Sequence, residues 1–330
     1  MRYSVVISNY NGADYIAYAI GSVLASLRDD LEVVVVDDGS TDTSREVIRR
    51  FTDSRVKPVF QDNRGQAGAF NHGIAESRGK FICLLDGDDF FFPDKIDLVD
   101  EAILDLGLED EPFIIRHPLV RVGAVGAQRT WAGTEGFSYF DRRLVSPRPG
   151  DRLHLSSPDH VLRYLKIHGY PEFIGGNSTV LSRSTADLIF PLPEHLSKFY
   201  GDLFPVLAAP IVGQAYFLGS AYAAYRFHTS NHSSIRKSYY SEDFLAGVAN
   251  YLNGILKKVG QPECVDPMRA RIGARYLCQR GESASAVRYA VGRLQDDLNL
   301  TNSGVLAKTI ALATASALRW VSPLGKAPRS

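Results

Sequence analysis

Three carboxylates close an apolar run in the stretch Lys80 to Asp89: after Phe81, Ile82, Cys83, Leu84 and Leu85 come Asp86, Gly87, Asp88 and Asp89. Two acids separated by one glycine can aim at one hard cation. Oxygen ligands of this kind suit Mg2+ or Mn2+, with phosphate oxygens completing the shell. A second acidic pair, Asp37 and Asp38, ends the apolar run Glu32 to Val36 in the same way. A late segment, Tyr225-Arg226-Phe227-His228, offers an imidazole that could ligate a metal and a guanidinium suited to a phosphate or a carboxylate. Asp202 stands alone in the apolar setting Tyr200 to Phe204, an acid that could take a proton or cap a helix. Together these residue types point to phosphate chemistry assisted by a divalent metal. The competing reading for each acid is a turn or helix-cap residue.

The elements that must carry these residues follow from periodicity. Ser4 to Ser8, Glu32 to Val36, Val56 to Phe60 and Phe81 to Leu85 read as strands, the second and fourth as runs buried on both faces. Between them, Ala13 to Leu27, Thr43 to Phe51 and Ala69 to Glu76 have helical spacing, and Pro93 to Leu106 follows as a helix with an aspartate at its start. Asn63 to Gly68 reads as a loop. Strands alternating with helices give βαβ units and a mostly parallel sheet, with ligands at the carboxyl ends of its strands. That is where Asp37, Asp38, Asp86 and Asp88 fall. Phe113 to Val122 and Phe173 to Leu181 are strand-like, Pro158 to His168 helical, and Gly123 to Pro149 loop-like with Trp131, Phe137, Tyr139 and Phe140. From Ser241 to Val321 the pattern is helical, in about four segments.

Composition narrows the class. At 330 residues the chain holds one large domain or two ordinary ones. Lys+Arg and Asp+Glu are equal at 37 each, so no net field favours nucleic acid. Three cysteines, with no metal-knot spacing, imply free thiols in a reducing, cytoplasmic compartment. The apolar part of the N-terminus is too short for a signal peptide, and no run of about 20 apolar residues predicts a transmembrane helix. No Gly-x-Gly-x-x-Gly follows the first strand and no Gly-x-x-x-x-Gly-Lys-Ser/Thr occurs, which disfavours dinucleotide dehydrogenases and P-loop enzymes.

The motifs in their order resemble family 2 glycosyltransferases: Ser8-Asn9-Tyr10-Asn11, then Asp37-Asp38-Gly39-Ser40-Thr41-Asp42, then Asn63-Arg64-Gly65-Gln66-Ala67 with Asn71 and Gly73, then Gly79 to Asp89 with Pro93-Asp94-Lys95, and finally Tyr225-Arg226-x-His228-x-x-Asn231-x-Ser233. The resemblance covers about residues 1 to 235 and implies a GT-A fold, a Rossmann-like mixed sheet flanked by helices. It further implies an inverting transfer from a nucleotide sugar, most often a UDP-sugar, with Mn2+ or Mg2+. By this resemblance Ser8, Asn9, Tyr10 and Asn11 line the base, and Asp37 or Asp38 binds uracil or ribose. Asp86 holds the ribose or a metal water, Asp88 ligates the metal, and His228 ligates metal or pyrophosphate. Arg64, Asn71 and Arg226 contact the donor, and Asp202 is the base. Two positions depart from the family pattern: Gly201 precedes Asp202 where Glu is usual, and Phe70 precedes Asn71 where many members carry Arg.

The expected organisation is a catalytic domain over 1–235, with a nucleotide-binding half (1–108) and an acceptor-binding half (109–235), followed by a helical C-terminal extension over 236–330. The acceptor is a glycan or lipid-linked hydroxyl. Val305 to Val321 is rich in Ala and Leu with only Lys308 and Arg319 charged. It predicts either peripheral contact at the inner face of a membrane, or packing on the domain or on a second copy in a homo-oligomer. The alternatives in function are a catalytically silent nucleotide-sugar scaffold and a sugar nucleotidyltransferase. The second is disfavoured because its Gly-rich N-terminal phosphate loop is missing.

Overall fold

The structure, a computed structural model, describes residues 1–117, 119–123, 153–155, 176–196, 201–218, 222–228 and 242–260. The chain divides into two units. The first comprises Met1–Leu162, Pro171–Lys237 and Tyr251–Glu263, and the second Arg163–Tyr170, Ser238–Asn250 and Cys264–Ser330. The candidate site lies wholly in the first. The expected helix over 158–168, the aromatic loop over 123–149 and the segment 305–321 lie outside the described residues, apart from Gly123 at the end of a strand.

The elements of the first half are β1 (Tyr3–Asn9), α1 (Ile16–Leu24), β2 (Leu31–Asp38), α2 (Ser44–Arg49), β3 (Val56–Gln61), α3 (Gly65–Glu76), β4 (Phe81–Asp86), β5 (Phe90–Phe91) and α4 (Lys95–Asp105). Then follow β6 (Phe113–Arg116), β7 (Leu119–Gly123), β8 (Leu153–Leu155), a 3-10 turn (Gly176–Ser178), β9 (Thr179–Ser182), α5 (Arg183–Ile189), a second 3-10 turn (Glu194–Leu196), α6 (Leu203–Val212), β10 (Gln214–Phe217), β11 (Ala223–Phe227) and α7 (Glu242–Lys258).

The larger sheet has the order β3-β2-β1-β4-β9-β6-β10-β8. Its first four strands are parallel, as βαβ connections require. β9 then enters antiparallel to both β4 and β6. The sheet is therefore mixed rather than mostly parallel. Three strands form a smaller sheet, β5-β11-β7.

Alternate residues of the central strands feed two apolar layers, because successive side chains leave opposite faces. Val5, Ile7, Val33, Val35, Cys83 and Leu85 pack with Ile16, Ile20 and Val23 of α1 and with Ile96, Val99 and Ile103 of α4. Val6, Val34, Val36, Ile82 and Leu84 pack with Ala69, Phe70 and Ile74 of α3 and Ala186 of α5. Each fully buried Val, Leu or Ile contributes about 1.5–3 kcal/mol relative to exposure. On the second face α3 approaches closely at Gly73, where a Cβ would lie 2.3 Å from Val6 Cγ1 and 3.0 Å from Val36 Cγ2.

Several expected boundaries move. The helix expected from Ala69 begins at Gly65, whose φ of 78° turns the chain sharply into the first helical turn. The Gly-rich composition of Asn63 to Gly68 hid that turn. The single strand expected over Phe113 to Val122 is two strands in different sheets, broken at His117. Within the strand expected over Phe173 to Leu181, Gly176–Ser178 form a 3-10 turn and the strand begins at Thr179, while β1 to β4 agree with expectation within two residues. α1, expected over Ala13 to Leu27, spans only Ile16–Leu24, because Gly12 and Asp14 start a turn and Leu27 is 97 % exposed.

Candidate active site

Register brings the acidic ends together. In the parallel pairs Asn9 is level with Asp37, and Ser8 with Asp86. Two sub-sites result, one at the ends of β1 and β2 and one at the end of β4.

The first is built by loops zipped to each other. Asn9 is buried and its amide donates to Asp37 Oδ2 (3.0 Å) and Ser40 Oγ (3.3 Å). Asn11 adopts a left-handed conformation (φ 50°), which Asn tolerates well. Its N–H donates to Ser40 Oγ at 2.9 Å, and its Oδ1 accepts from Thr41 N at 2.8 Å. Asp42 accepts the N–H of Ala13 at 3.0 Å and that of Ser44, at the start of α2, at 2.9 Å, so it ties both loops to the helix. Asp37 is fully buried. Its carboxylate accepts from Ser40 N (3.1 Å) and Arg45 Nε (2.8 Å) as well as from Asn9. Asp38, also buried, accepts from Gln61 Nε2 (2.7 Å) and Arg64 N (2.8 Å). Burial pushes the Asp38 carboxyl above the usual range, and those hydrogen bonds pull it back. Both acids thus brace the loops. Tyr10 stands 47 % exposed at their rim, so its ring is open to a flat ligand.

The second sub-site gathers residues far apart in sequence. Asp88 Oδ2 lies 3.0 Å from His228 Nε2. Tyr15 stacks on the His228 ring with centroids 4.5 Å apart and an angle of 26°. Asp86 Oδ1 accepts from Gln66 Nε2 at 2.7 Å and, more weakly, from Ser8 Oγ at 3.4 Å. Burial, followed by the negative charges of Asp202 and Asp88, pushes the Asp86 carboxyl well above the usual carboxylate range. Asp202 is therefore an electrostatic neighbour of Asp86. It occupies the N-cap position of α6 and is 6 % exposed, but its side chain does not cap that helix. The structural alternative for this acid, a helix cap, is not what the side chain does.

Beneath these residues lies a buried polar layer. Asp89 accepts from Asn177 Nδ2 at 2.9 Å and from the backbone N–H of Arg226 at 2.7 Å. Lys95 Nζ donates to the Asn177 carbonyl at 2.6 Å and sits 3.5 Å above the Phe91 ring. This layer fastens the end of β4 to β11 and so fixes Asp88 opposite His228. Asp89, Asn177, Lys95, Gln66 and Tyr15 were not among the expected site residues. A third acid directly after an Asp-x-Asp pair was the available sign for Asp89.

Three residues expected to contact the donor have protein partners in the structure. Arg226 is 1 % exposed, and its guanidinium lies over Tyr15, Tyr18 and Phe90 at 5.0–5.3 Å. The three rings present a face that a weakly hydrated guanidinium can share. Asn71 spends its amide on Leu192 O and Glu194 Oε1 (both 3.0 Å) and accepts Leu192 N at 2.6 Å, which fixes the 192–194 segment. Arg64 is half exposed and paired with Glu194 at 2.6 Å. Phe70, at the position where many family members carry Arg, is a fully buried core residue.

A divalent cation fits the donor set at the second sub-site. Asp88 and His228 supply an oxygen and a nitrogen that converge within 3.0 Å, with Asp86 close by. Among the described residues no three-ligand cluster stands complete by itself. No helix among the described residues is long and apolar enough to cross a membrane.

Known proteins resemble this chain in sequence and in fold. The model for "Glycosyl transferase family 2" matches residues 4–108. A protein of Nostoc sp. described as an uncharacterized glycosyltransferase is 30 % identical over 278 residues, covering 82 % of this chain and 80 % of the relative. The succinoglycan biosynthesis protein ExoU of Rhizobium meliloti is 50 % identical over 95 residues, a stretch covering 28 % of each chain. Among solved structures, TarS residues 1–349 of S. aureus in complex with UDP-GlcNAc superposes with a TM-score of 0.61 at 16 % identity, over 97 % of this chain and 89 % of that one. The mannosyltransferase PcManGT of Pyrobaculum calidifontis, in complex with GDP-Man and Mn2+, gives a TM-score of 0.51 at 16 % identity, over 98 % and 81 %. The fold is GT-A.

Proposed function

The chain belongs to glycosyl transferase family 2 and is a glycosyltransferase, and from that premise we propose that it moves a sugar from a UDP-sugar to a hydroxyl of a glycan or lipid-linked acceptor, with inversion. The observation that carries this reading is the meeting, at the end of β4, of the Asp88–His228 pair with Asp86 and its charged neighbour Asp202. The base rests against the loops that Asn9, Asn11 and Asp37 hold together, with Tyr10 at the rim. Asp86 faces the ribose. Arg64, half exposed beside the Asp38 brace, is the cation that can turn from Glu194 toward the diphosphate. Asp88 and His228 are the residues that would hold Mn2+ or Mg2+, and such an ion would supply positive charge beside the diphosphate leaving group.

Asp202 takes the proton of the acceptor hydroxyl while that oxygen bonds to the anomeric carbon and the carbon–phosphate oxygen bond breaks. A positioned base of this kind contributes about 10²–10⁴-fold in rate. One displacement with no covalent intermediate inverts the anomeric centre. The complexes of TarS with UDP-GlcNAc and of PcManGT with GDP-Man and Mn2+ support a nucleotide-sugar donor and a divalent metal. The role of ExoU in succinoglycan biosynthesis supports a polysaccharide product. The test is Asp202→Asn. It should bind UDP with Mn2+ as the parent does and lose transfer; near-parental turnover would remove Asp202 as the base.

A further inference from the structure

Gln66 joins the two acidic elements of the site. Its Nε2 donates to Asp86 Oδ1 at 2.7 Å, and its Oε1 accepts the backbone N–H of Gly201 at 2.7 Å, directly before Asp202. The amide orientation is fixed by its partners. A backbone N–H only donates, so a flipped amide would set its own NH2 against the Gly201 N–H and lose that bond. The contact is also tight in the backbone. A Cβ on Gly201 would lie 2.7 Å from Ala67 N, 2.9 Å from Ala67 Cα and 2.9 Å from Gln66 C. The first turn of α3 therefore leans on the chain at the start of α6, leaving no room there for the Glu usual in the family.

We infer that Gln66 is a positioning residue: its amide, together with the glycine contact at position 201, sets where Asp202 stands relative to Asp86. The inference rests on the proposed function, in which Asp202 is the base. Two buried acids on separate elements do not favour each other's charge, so proximity alone does not fix their spacing. A neutral side chain that donates to one element and accepts from the other holds both without adding charge. The bridge also ties the donor side of the site, Asp86, to the side that deprotonates the acceptor. A base displaced by about 1 Å costs up to about 100-fold in rate, even though the donor is still held.

The experiment compares the full-length parent with Gln66→Met, Gln66→Ala, Gly201→Ala and Asp202→Asn. Binding is read by calorimetry with UDP and Mn2+. Turnover is read as UDP released from UDP-glucose or UDP-GlcNAc, with water as acceptor. Gln66→Met keeps the volume and loses both hydrogen bonds, and Gln66 is only half buried, so this variant should unfold within about 3 °C of the parent. The inference expects Gln66→Met and Gln66→Ala to lower kcat by about 10- to 100-fold, with KM for the donor and the Kd for UDP within about threefold of the parent. Gly201→Ala should show the same split. Near-parental kcat in Gln66→Met would overturn the inference. So would a fall in UDP affinity that matches the fall in rate, since Gln66 would then be a donor-binding residue. Near-parental release by Asp202→Asn would overturn the base assignment beneath it, an outcome distinct from the other two.

Discussion

Lys95→Met should remove a pH dependence of stability that the parent carries between pH 7 and about 8.5. Lys95 has no solvent exposure, and burial lowers its ammonium from the ordinary 10.5 to about 7. The unfolded chain keeps that proton up to the ordinary value, while the folded protein releases it from about pH 7 upward. Above pH 7 the unfolded state therefore binds more protons, so stability rises with pH by about 1.4 kcal/mol per unit. From pH 7 to about 8.5 the gain is about 2 kcal/mol. Beyond that the buried Cys83 thiol opposes it. Burial raises the thiol from 9.0 to about 11, and stability from this group is lost once the unfolded thiol begins to ionise. The assay is urea unfolding of parent and variant at four pH values across the window, read as the difference between them so that all other groups cancel. The contrary result is a difference independent of pH. It would mean that Lys95 stays charged against the Phe91 ring and the Asn177 carbonyl throughout.

Asp88→Ala should abolish the Mn2+-dependent part of UDP binding, measured by calorimetry with and without metal. Tyr15→Leu should weaken Mn2+-dependent UDP binding several-fold by freeing the His228 ring, while Tyr15→Phe should preserve it, since the stack needs only the ring. Gly73→Ala should destabilise the fold by about 1–3 kcal/mol in denaturant titration, because its Cβ would drive α3 off Val6 and Val36. An unchanged midpoint would mean the helix shifts at little cost.

Much of the donor half was legible because its signals are local. The runs Val33 to Val36 and Phe81 to Leu85 are too continuous for a half-exposed strand. The acids that end them mark the ligand side of a parallel sheet. Ser8 and Asp86, and Asn9 and Asp37, then meet by register alone. What stayed hidden depends on pairing across long separations. β9 enters antiparallel between β4 and β6, and nothing local to Thr179–Ser182 records that direction. Asn177 reaches Asp89 across 88 positions and Gly201 reaches Gln66 across 135. Arg226 was legible as a charge but not as a buried one. Its neighbours Tyr15, Tyr18 and Phe90 come from α1 and its approach and from β5, and only the folded sheet brings them under it.

In the function proposed above, the site binds a nucleotide sugar through a metal held by Asp88 and His228. The most direct measurement is a calorimetric panel of UDP-, GDP-, dTDP- and CDP-sugars against the folded protein, with and without Mn2+. A UDP-sugar should bind tightly only when Mn2+ is present. Binding of none of the four classes, or equal binding with and without the metal, would contradict it.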